Sequence, residues 1–197
     1  MTQRGKKRIG VLALQGDFEA HERALQRAGA EAVEVRSASD LENIQGLIIP
    51  GGESTTMMKL LELENLLGPL REFGKNNPIF GTCAGAILLA SEVSNPSQPS
   101  LGLMDMGVER NAYGRQLHSR IAHLEPQGLQ GDLQKADLEA VFIRAPVIRR
   151  LGEGATVLAR YQGDPVLVEQ GRHLAATFHP ELTDDSRVHL IFLRKIP

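Results

Sequence analysis

The chain of 197 residues has one cysteine, no tryptophan, and only six Phe and two Tyr. A single cysteine excludes an intrachain disulfide and is typical of a reducing compartment, so a cytoplasmic location is expected. So few aromatic rings offer little surface on which nucleic-acid bases could stack. Neither sign of charge dominates, since 22 Lys and Arg against 24 Asp and Glu leave a net charge of −2. That balance also disfavours a nucleic-acid partner.

Long apolar segments are missing too. No run approaches the ~18 residues that a membrane span requires, and residues 1–8 are polar and basic with no apolar stretch after them, unlike a signal peptide. We therefore predict a flexible tail over 1–8 and no membrane partner. The length favours a single domain over 1–197, which is large enough to fold around a core without a metal or disulfide.

The first half of the chain alternates short apolar runs with helical patterns. Such strand–helix–strand units with short links predict right-handed crossovers and a parallel sheet between two helical layers. Asp17 is a candidate N-cap for the first helix, and Ser54 or Thr55 for the second. The predicted strands are Ile9–Leu14, Ala32–Val35, Leu47–Ile49 and Ile79–Phe80, and another helix is predicted over Ala84–Ala90.

The second half has short strand-like segments separated by glycine turns. We expect some of them to pair antiparallel at the sheet edge, and a brief helix to close the chain over Arg187–Ile196. The fold class is therefore α/β, with three layers, a mostly parallel central sheet and antiparallel edge strands in the second half. The predicted segments are Met104–Arg110, Gln116–Leu124, Leu138–Ile143, Thr156–Tyr161, Val166–Glu169 and His173–Phe178.

The only thiol lies in Gly81-Thr82-Cys83-Ala84-Gly85, between a predicted buried strand and a helix. Gly-x-Cys-x-Gly at this junction has the layout of a nucleophile elbow, with sulfur replacing the serine oxygen. The helix N-terminus favours a thiolate, and the Ala84 amide is a candidate oxyanion donor. Free cysteine is also among the most buried residue types, so simple packing is the competing interpretation.

A thiol nucleophile needs a base, and the base needs a group that orients it. His179 follows a predicted strand and precedes Pro180, which restrains its backbone. Glu181 stands two residues later, close enough to hold the imidazole. His-Pro-Glu is a weak signal alone and a strong one together with the elbow.

The other histidines are less persuasive. His118 and His123 are predicted on opposite faces of one strand and cannot share a metal. His21 and His189 lie on predicted helices, where partial exposure is expected. No His, Cys, Asp and Glu cluster has zinc spacing, so neither a metal nor a cofactor is expected.

A third constellation, Pro50-Gly51-Gly52-Glu53-Ser54-Thr55, ends a predicted strand. Parallel sheets bind ligands beyond the carboxyl ends of their strands, which would place this loop beside Cys83. It lacks the pattern of a phosphate loop, and a capped glycine turn is the alternative. Arg110 and Arg144 each end an apolar strand and are candidates for holding a substrate carboxylate, although surface arginines are common.

These motifs resemble the class I glutamine amidotransferases, which have a flavodoxin-like fold, and among them the glutaminase subunits of pyridoxal 5′-phosphate synthases. The resemblance extends from about Ile9 to Leu193. It is carried by five segments together with Phe142–Pro146. The five are Val11–Gly16, Pro50–Thr56, Phe80–Leu89, Val108–Arg115 and Phe178–Thr183.

The resemblance implies a glutaminase that feeds ammonia to a separate synthase subunit in vitamin B6 synthesis, with low activity until that partner docks. Cys83, His179 and Glu181 would be the catalytic triad, and Gly51, Gly52 and Ala84 the oxyanion hole. Gln15 would lie near the oxyanion loop at the synthase interface. The implied glutamine-binding residues are Gly52, Glu53, Ser54, Arg110, Ile143 and Arg144.

Three alternatives remain at this stage. The first is a glutaminase of the same class in another pathway, such as imidazole glycerol phosphate synthesis, which the Gly-Gly-Glu-Ser-Thr-Thr and Val-Glu-Arg-Asn segments disfavour. The second is a cysteine peptidase or chaperone on the same fold, which a late His-x-Glu disfavours. The third is a binding module without activity, which an intact triad disfavours.

Overall fold

The structure is a computed structural model that describes residues 5–112, 119–129, 131–134 and 137–197. Five helices occur in the described part of the chain: α1 Phe18–Arg27, α2 Ser54–Leu63, α3 Leu67–Asn76, α4 Ala84–Leu89 and α5 Arg187–Arg194. The strands described there are β1 Arg8–Leu12, β2 Glu31–Val35, β3 Gly46–Ile49, β4 Ile79–Thr82, β5 Ala90–Ser94, β6 Met104–Glu109, β7 Arg120–Leu124, β8 Leu138–Phe142, β9 Val147–Leu151, β10 Ala155–Tyr161, β11 Asp164–Gln170 and β12 His173–Ala176.

The central sheet has the strand order β10-β11-β12-β4-β3-β1-β2. Its five strands from β12 to β2 are parallel, whereas β10 and β11 continue it antiparallel at one edge. This confirms the predicted α/β class and the antiparallel edge. Strand β2 lies on one side of β1, whereas β3, β4 and β12 follow one another on the other side. Where the strand order reverses in this way, a crevice forms at the carboxyl ends of the strands.

Alternate residues of the central strands pack into two separate cores, one on each face of the sheet. Ile48 and Phe80 point to the core that contains α1 and α5, whereas Leu47 and Ile79 point to the core that contains α2, α3 and α4. Strands buried on both faces need continuous apolar runs, and that explains the uninterrupted hydrophobic character of β1 and β3.

Two smaller sheets lie outside the central one. Strand β6 pairs with β5 and β9, and β7 pairs with β8. The sequence patterns do not predict α3, β5 or β9. The predicted strand Gln116–Leu124 is observed from Arg120 onward, and its residues up to 118 lie outside the described part of the chain.

The N-terminal prediction is partly wrong, because residues 7 and 8 are not a tail; residues 1–4 lie outside the described ranges. Lys7 Nζ donates hydrogen bonds to the carbonyl oxygens of Leu193 and Ile196, at 2.8 and 2.6 Å, and Arg8 is the first residue of β1. The lysine therefore caps the C-terminal end of α5, where cations are favoured. Among the described residues, no helix has the length and apolar character needed to cross a bilayer.

Candidate active site

Four loops meet at the carboxyl edge of the parallel strands. They follow β1, β3, β4 and β12, and they carry Gln15, the Gly51–Glu53 segment, Cys83 and His179 respectively. Strand β4 pairs directly with β3 on one side and with β12 on the other. Residues far apart in the sequence therefore reach one place because parallel strands end at a common edge.

Cys83 has φ of +48°, a left-handed conformation that non-glycine residues rarely adopt. Its amide donates to the Ala176 carbonyl oxygen at 2.8 Å, and α4 begins at the next residue. A Cβ on Gly85 would collide with the carbonyl oxygen of Ile49, so only glycine lets α4 approach β3 this closely. The strained turn and the close helix together match the predicted elbow.

Cys83 is 7% exposed and borders a cavity rather than packing wholly into a core. Its Sγ lies 3.9 Å from the Ile143 carbonyl oxygen, and the thiol is close enough to His179 to raise the pKa of the imidazole. The competing interpretation of a simply packed cysteine therefore does not describe this thiol.

His179 is fixed from three sides. Its amide donates to the Val141 carbonyl oxygen at 2.8 Å, and Pro180 begins a short 3₁₀ turn. Its Nδ1 lies 2.7 Å from Glu181 Oε1, which leaves Nε2 as the ring nitrogen free to serve the thiol. A Cβ on Gly51 would overlap the His179 ring and come within 3.2 Å of Cys83 Cβ, so the loop after β3 lies against both residues.

Charge around His179 favours its protonated form. Burial alone would lower its pKa, but hydrogen bonds and charge interactions with Cys83 and Glu181 outweigh burial and raise the pKa to about 10. Burial would raise the pKa of Glu181, yet His21 and His179 lower it overall. The buried carboxylate is therefore the anion that stabilises an imidazolium.

The prediction that His21 and His189 are partly exposed is wrong. Both are fully buried, at 0% exposure, on the side of Glu181 that faces away from His179. Their helices α1 and α5 pack on the same face of the sheet, and the tertiary contact between them spans 168 residues of sequence. Helical periodicity in one segment carries no signal of that distant partner.

The cap of α2 also differs from the prediction. Neither Ser54 nor Thr55 caps the helix; the Glu53 carboxylate does, accepting hydrogen bonds from the amides of Thr55 and Thr56 at 3.1 and 2.7 Å. Burial would raise the pKa of Glu53, but the hydrogen bonds from Thr56 and Thr55 lower it to about 2. Arg110 Nη2 reaches the same carboxylate at 3.2 Å.

Side-chain amides fix the remainder of this loop. The Glu53 amide donates to Gln15 Oε1 at 3.1 Å, and a Cβ on Gly52 would lie 2.8 Å from that oxygen. Ser54 is buried, and its hydroxyl donates to Gln98 Oε1 at 2.9 Å. The predicted interface residue Gln15 is thus in direct contact with the loop that follows β3.

One cavity of about 350 Å³ joins these groups, a volume in the range of small-molecule sites. Glu181 and Gly51 lie against His179 but do not belong to the cavity wall. Two wall residues were not predicted, although Ile87 stands one helical turn after Cys83 and Asn111 directly follows Arg110. The wall consists of Gln15, Gly52, Glu53, Ser54, Cys83, Ala84, Ile87, Arg110, Asn111, Ile143, Arg144 and His179.

The cavity offers charges of both signs near its mouth and a thiol at its base. Glu53 supplies an anion, while Arg110 and the exposed Arg144 supply cations. Within the described ranges, no group of three His, Cys, Asp or Glu residues is arranged to hold a metal ion. The arrangement suits a small zwitterion whose other end reaches the thiol.

Solved structures define the class of this fold. A crystal structure of a glutamine amidotransferase is 52% identical and superposes with a TM-score of 0.87 over 95% of this chain and 97% of that one. The structure of PurLQS from Thermotoga maritima, at 16% identity and a TM-score of 0.68 over 96% of this chain and 98% of that one, shares the fold. The chain therefore has the glutamine amidotransferase fold.

The family follows from the sequence comparisons. The model of the SNO glutamine amidotransferase family matches residues 11–197. The pyridoxal 5′-phosphate synthase subunit PdxT of Solibacter usitatus (strain Ellin6076) is 61% identical over 96% of this chain and 100% of that protein. The PdxT subunit of Koribacter versatilis (strain Ellin345) is 53% identical over 96% of this chain and 95% of that protein. The chain belongs to the SNO glutamine amidotransferase family.

Proposed function

We propose that this protein is a glutaminase that hydrolyses L-glutamine to L-glutamate and ammonia, and supplies the ammonia to a pyridoxal 5′-phosphate synthase subunit. The observation that carries the proposal is the Cys83 thiol at a strained turn, beside a His179 ring whose Nδ1 lies 2.7 Å from Glu181 Oε1. The names of the similar proteins favour pyridoxal phosphate synthesis over imidazole glycerol phosphate synthesis.

In the proposed reaction His179 takes the proton of the Cys83 thiol, and Sγ attacks the side-chain carbonyl carbon of glutamine. The oxygen becomes an oxyanion, held by the amides of Ala84 and of the Gly51–Gly52 loop. His179 then gives its proton to the amide nitrogen, the C–N bond breaks, and ammonia departs. A γ-glutamyl thioester remains on Cys83. Water, deprotonated by His179, attacks the thioester, and glutamate departs as the thiol is restored.

Glutamine binding is proposed to use both signs of charge in the cavity. Glu53 is ionised at neutral pH and suits the α-ammonium group, whereas Arg110 and Arg144 suit the α-carboxylate. The cavity walls at Gly52, Ser54 and Ile143 would enclose the carbon chain. With the amino-acid end held near the mouth, the side-chain amide reaches Cys83.

A synthase partner is proposed to control the oxyanion loop. The Glu53 amide donates to Gln15 Oε1, so turning the Gly52–Glu53 peptide requires breaking this bond to one side chain. Docking beside α1 and Gln15 would do so and raise the activity. Because free ammonia becomes mostly ammonium in neutral water, we expect delivery to the partner through protein.

We also propose that residues 1–197 form one glutaminase domain. The C-terminal half contributes β10, β11 and β12 to the same sheet as the N-terminal strands, which supports a single unit. A nucleophilic thiol functions best in a reducing compartment, and a cytoplasmic location is therefore part of the proposal.

The test measures ammonia and glutamate release with and without the purified synthase subunit. We expect the synthase to raise the rate of the wild type, and Cys83→Ala to abolish it while preserving the fold by circular dichroism. A glutamine-analogue diazoketone should label Cys83, with labelling enhanced by the synthase. Equal release with and without synthase would refute the proposed control, and activity in Cys83→Ala would refute the mechanism.

A further inference from the structure

A chain of buried polar side chains extends from Glu181 away from the cavity. His21 Nε2 lies 3.3 Å from Glu181 Oε2 and 3.1 Å from Thr82 Oγ1. His21 Nδ1 lies 3.1 Å from His189 Nε2. Both imidazoles are fully buried. The proposed mechanism uses neither histidine, nor the threonine between them and the thiol.

The hydrogens of this chain can be assigned from what each alternative leaves unsatisfied. If His21 carried its proton on Nδ1, its bare Nε2 would face the carboxylate oxygen, and His189 would carry a buried Nδ1–H without an acceptor. If His21 carries its proton on Nε2, that N–H donates to Thr82 Oγ1 and its partial positive charge lies beside Glu181 Oε2, 3.3 Å from Nε2, while His189 Nε2–H donates to His21 Nδ1. The second arrangement places an N–H rather than a lone pair beside the carboxylate and leaves only an unprotonated nitrogen of His189 unpartnered in the histidine pair, which is the cheaper outcome.

The Glu181 carboxylate is stabilised unequally at its two oxygens. Oε1 is bound to His179, whereas Oε2 is buried without a hydrogen-bond donor and has the Nε2 edge of His21 3.3 Å away. A buried carboxylate oxygen that lost this nearby positive partial charge as well would be costly, and the carboxyl group would respond by rotating or by taking up a proton. Either response weakens its hold on His179.

We propose, on the basis of the proposed function, that His21 is a positioning residue for the triad. Neutral, and held by His189 and Thr82, it keeps its Nε2–H beside Glu181 Oε2 and so keeps that carboxylate ionised and turned toward His179.

The surrounding charges are consistent with a neutral pair. Burial lowers the pKa of His21 more than Glu181 and Asp17 raise it, and nearby His179 lowers it further. Burial, with His21 and Arg27, lowers the pKa of His189 to about 3 although Glu181 opposes the shift. Both histidines are therefore neutral at neutral pH, and the hydrogen bond between them keeps one direction.

The test compares two amide variants that differ by one methylene. His21→Gln places an amide NH2 near the position of Nε2, whereas His21→Asn reaches only the position of Nδ1. The readout is the rate of Cys83 alkylation by iodoacetamide as a function of pH, measured without glutamine. His21→Asn should raise the midpoint of this profile by about 1 pH unit, because a weaker Glu181 anion stabilises imidazolium and thiolate less, and His21→Gln should restore most of it.

Hydrolysis of glutamine with the synthase present gives a second readout. We expect kcat of His21→Asn to fall about tenfold with KM within twofold, since the loss is in the reacting groups rather than in substrate binding. His173→Leu is the control, because His173 is also buried but bonds to the Ile79 amide at the opposite end of β4. It should lower stability without moving the alkylation midpoint.

The proposal is overturned if His21→Asn keeps the wild-type midpoint, or if His21→Gln shifts it as far as His21→Asn does. Should His21→Asn fail to fold, His189→Leu replaces it: freeing the His21 ring should raise the midpoint, and an unchanged midpoint overturns the proposal. Because alkylation needs no substrate, a wild type that failed to hydrolyse glutamine would refute the proposed function while leaving this test readable.

Discussion

At the residue scale, Gly51 is the glycine that lies against both reacting side chains. A methyl group there would overlap the His179 ring and approach Cys83 Cβ to 3.2 Å. The residue therefore keeps room for the imidazole, without any requirement for an unusual backbone conformation.

Gly51→Ala is expected to fold and to lose glutamine hydrolysis by about a hundredfold, because a displaced base loses its alignment with the thiol. The measurement is glutamate release with the synthase, together with the thermal midpoint. Gly68→Ala is the matched control, since a methyl there meets nothing within 4 Å and alanine favours a helix. Wild-type activity in Gly51→Ala would contradict this account of the site.

The residues of the site were predictable from sequence to different extents. Cys83, His179 and Glu181 stand in short motifs whose chemistry is local, and the structure brings them together. His21 and His189 were misjudged because their burial depends on a contact between two helices distant in sequence. Local periodicity shows which face of a helix is apolar but does not show which polar residue on it has a buried partner.

At the element scale, α2 begins at a residue that also faces the cavity. The Glu53 carboxylate bonds to the Thr55 and Thr56 amides and to the Thr56 hydroxyl. These hydrogen bonds fix the carboxylate in one orientation. The same carboxylate therefore caps α2 and forms the proposed binding site for the ammonium group of glutamine.

Glu53→Ala should therefore have two effects. Loss of the cap should reduce the free energy of unfolding by about 1 kcal/mol, and loss of the anion should raise KM for glutamine. Urea unfolding and steady-state kinetics measure the two effects. Glu62→Ala, on the exposed side of the same helix, should change neither; a Glu53→Ala protein of wild-type stability would show that the cap contributes nothing.

Elements with clear local signals were predicted well, and those with conflicting signals were not. Asp17 caps α1 as predicted, because an N-cap before a periodic run is a local pattern. Helix α3 was missed because Gly68 and Pro69 near its start are typical of turns, although proline is tolerated in the first helical turn. Strand β9 pairs with β6, and nothing in its own five residues specifies that partner.

At the scale of the whole molecule, buried neutral histidines make the fold sensitive to acid. Burial lowers the pKa of His21 in the folded protein, of His189 to about 3 and of His173 to about 4, whereas an unfolded histidine has a pKa near 6.5. The unfolded chain therefore takes up protons first, and stability falls as the pH drops below about 6.5. The raised pKa of His179 offsets only a small part of this loss, because its own stabilisation increases as the pH falls toward about 6.5 and is nearly complete below that value.

The free energy of unfolding should be lower at about pH 5.5 than at about pH 7, by about 1 kcal/mol for each of these histidines. Urea titrations at the two pH values provide the measurement. His189→Leu should reduce the difference in free energy of unfolding between the two pH values by about 1 kcal/mol. His123→Gln, at an exposed position of β7, should leave that difference unchanged. Equal stability at both pH values would contradict the neutral state assigned to the buried pair.

The pairing of β4 with β12 has a consequence for how such an enzyme can be regulated. Parallel pairing sets Phe80 beside Leu174 and Thr82 beside Ala176, and a ladder between two central strands opens only when the protein unfolds as a whole. A docking protein therefore cannot separate Cys83 from His179 by opening this pairing without unfolding the enzyme. In the proposed function, control by the partner acts instead on the Gly52–Glu53 peptide, so the inactive enzyme keeps thiol and imidazole together and lacks only a complete oxyanion hole.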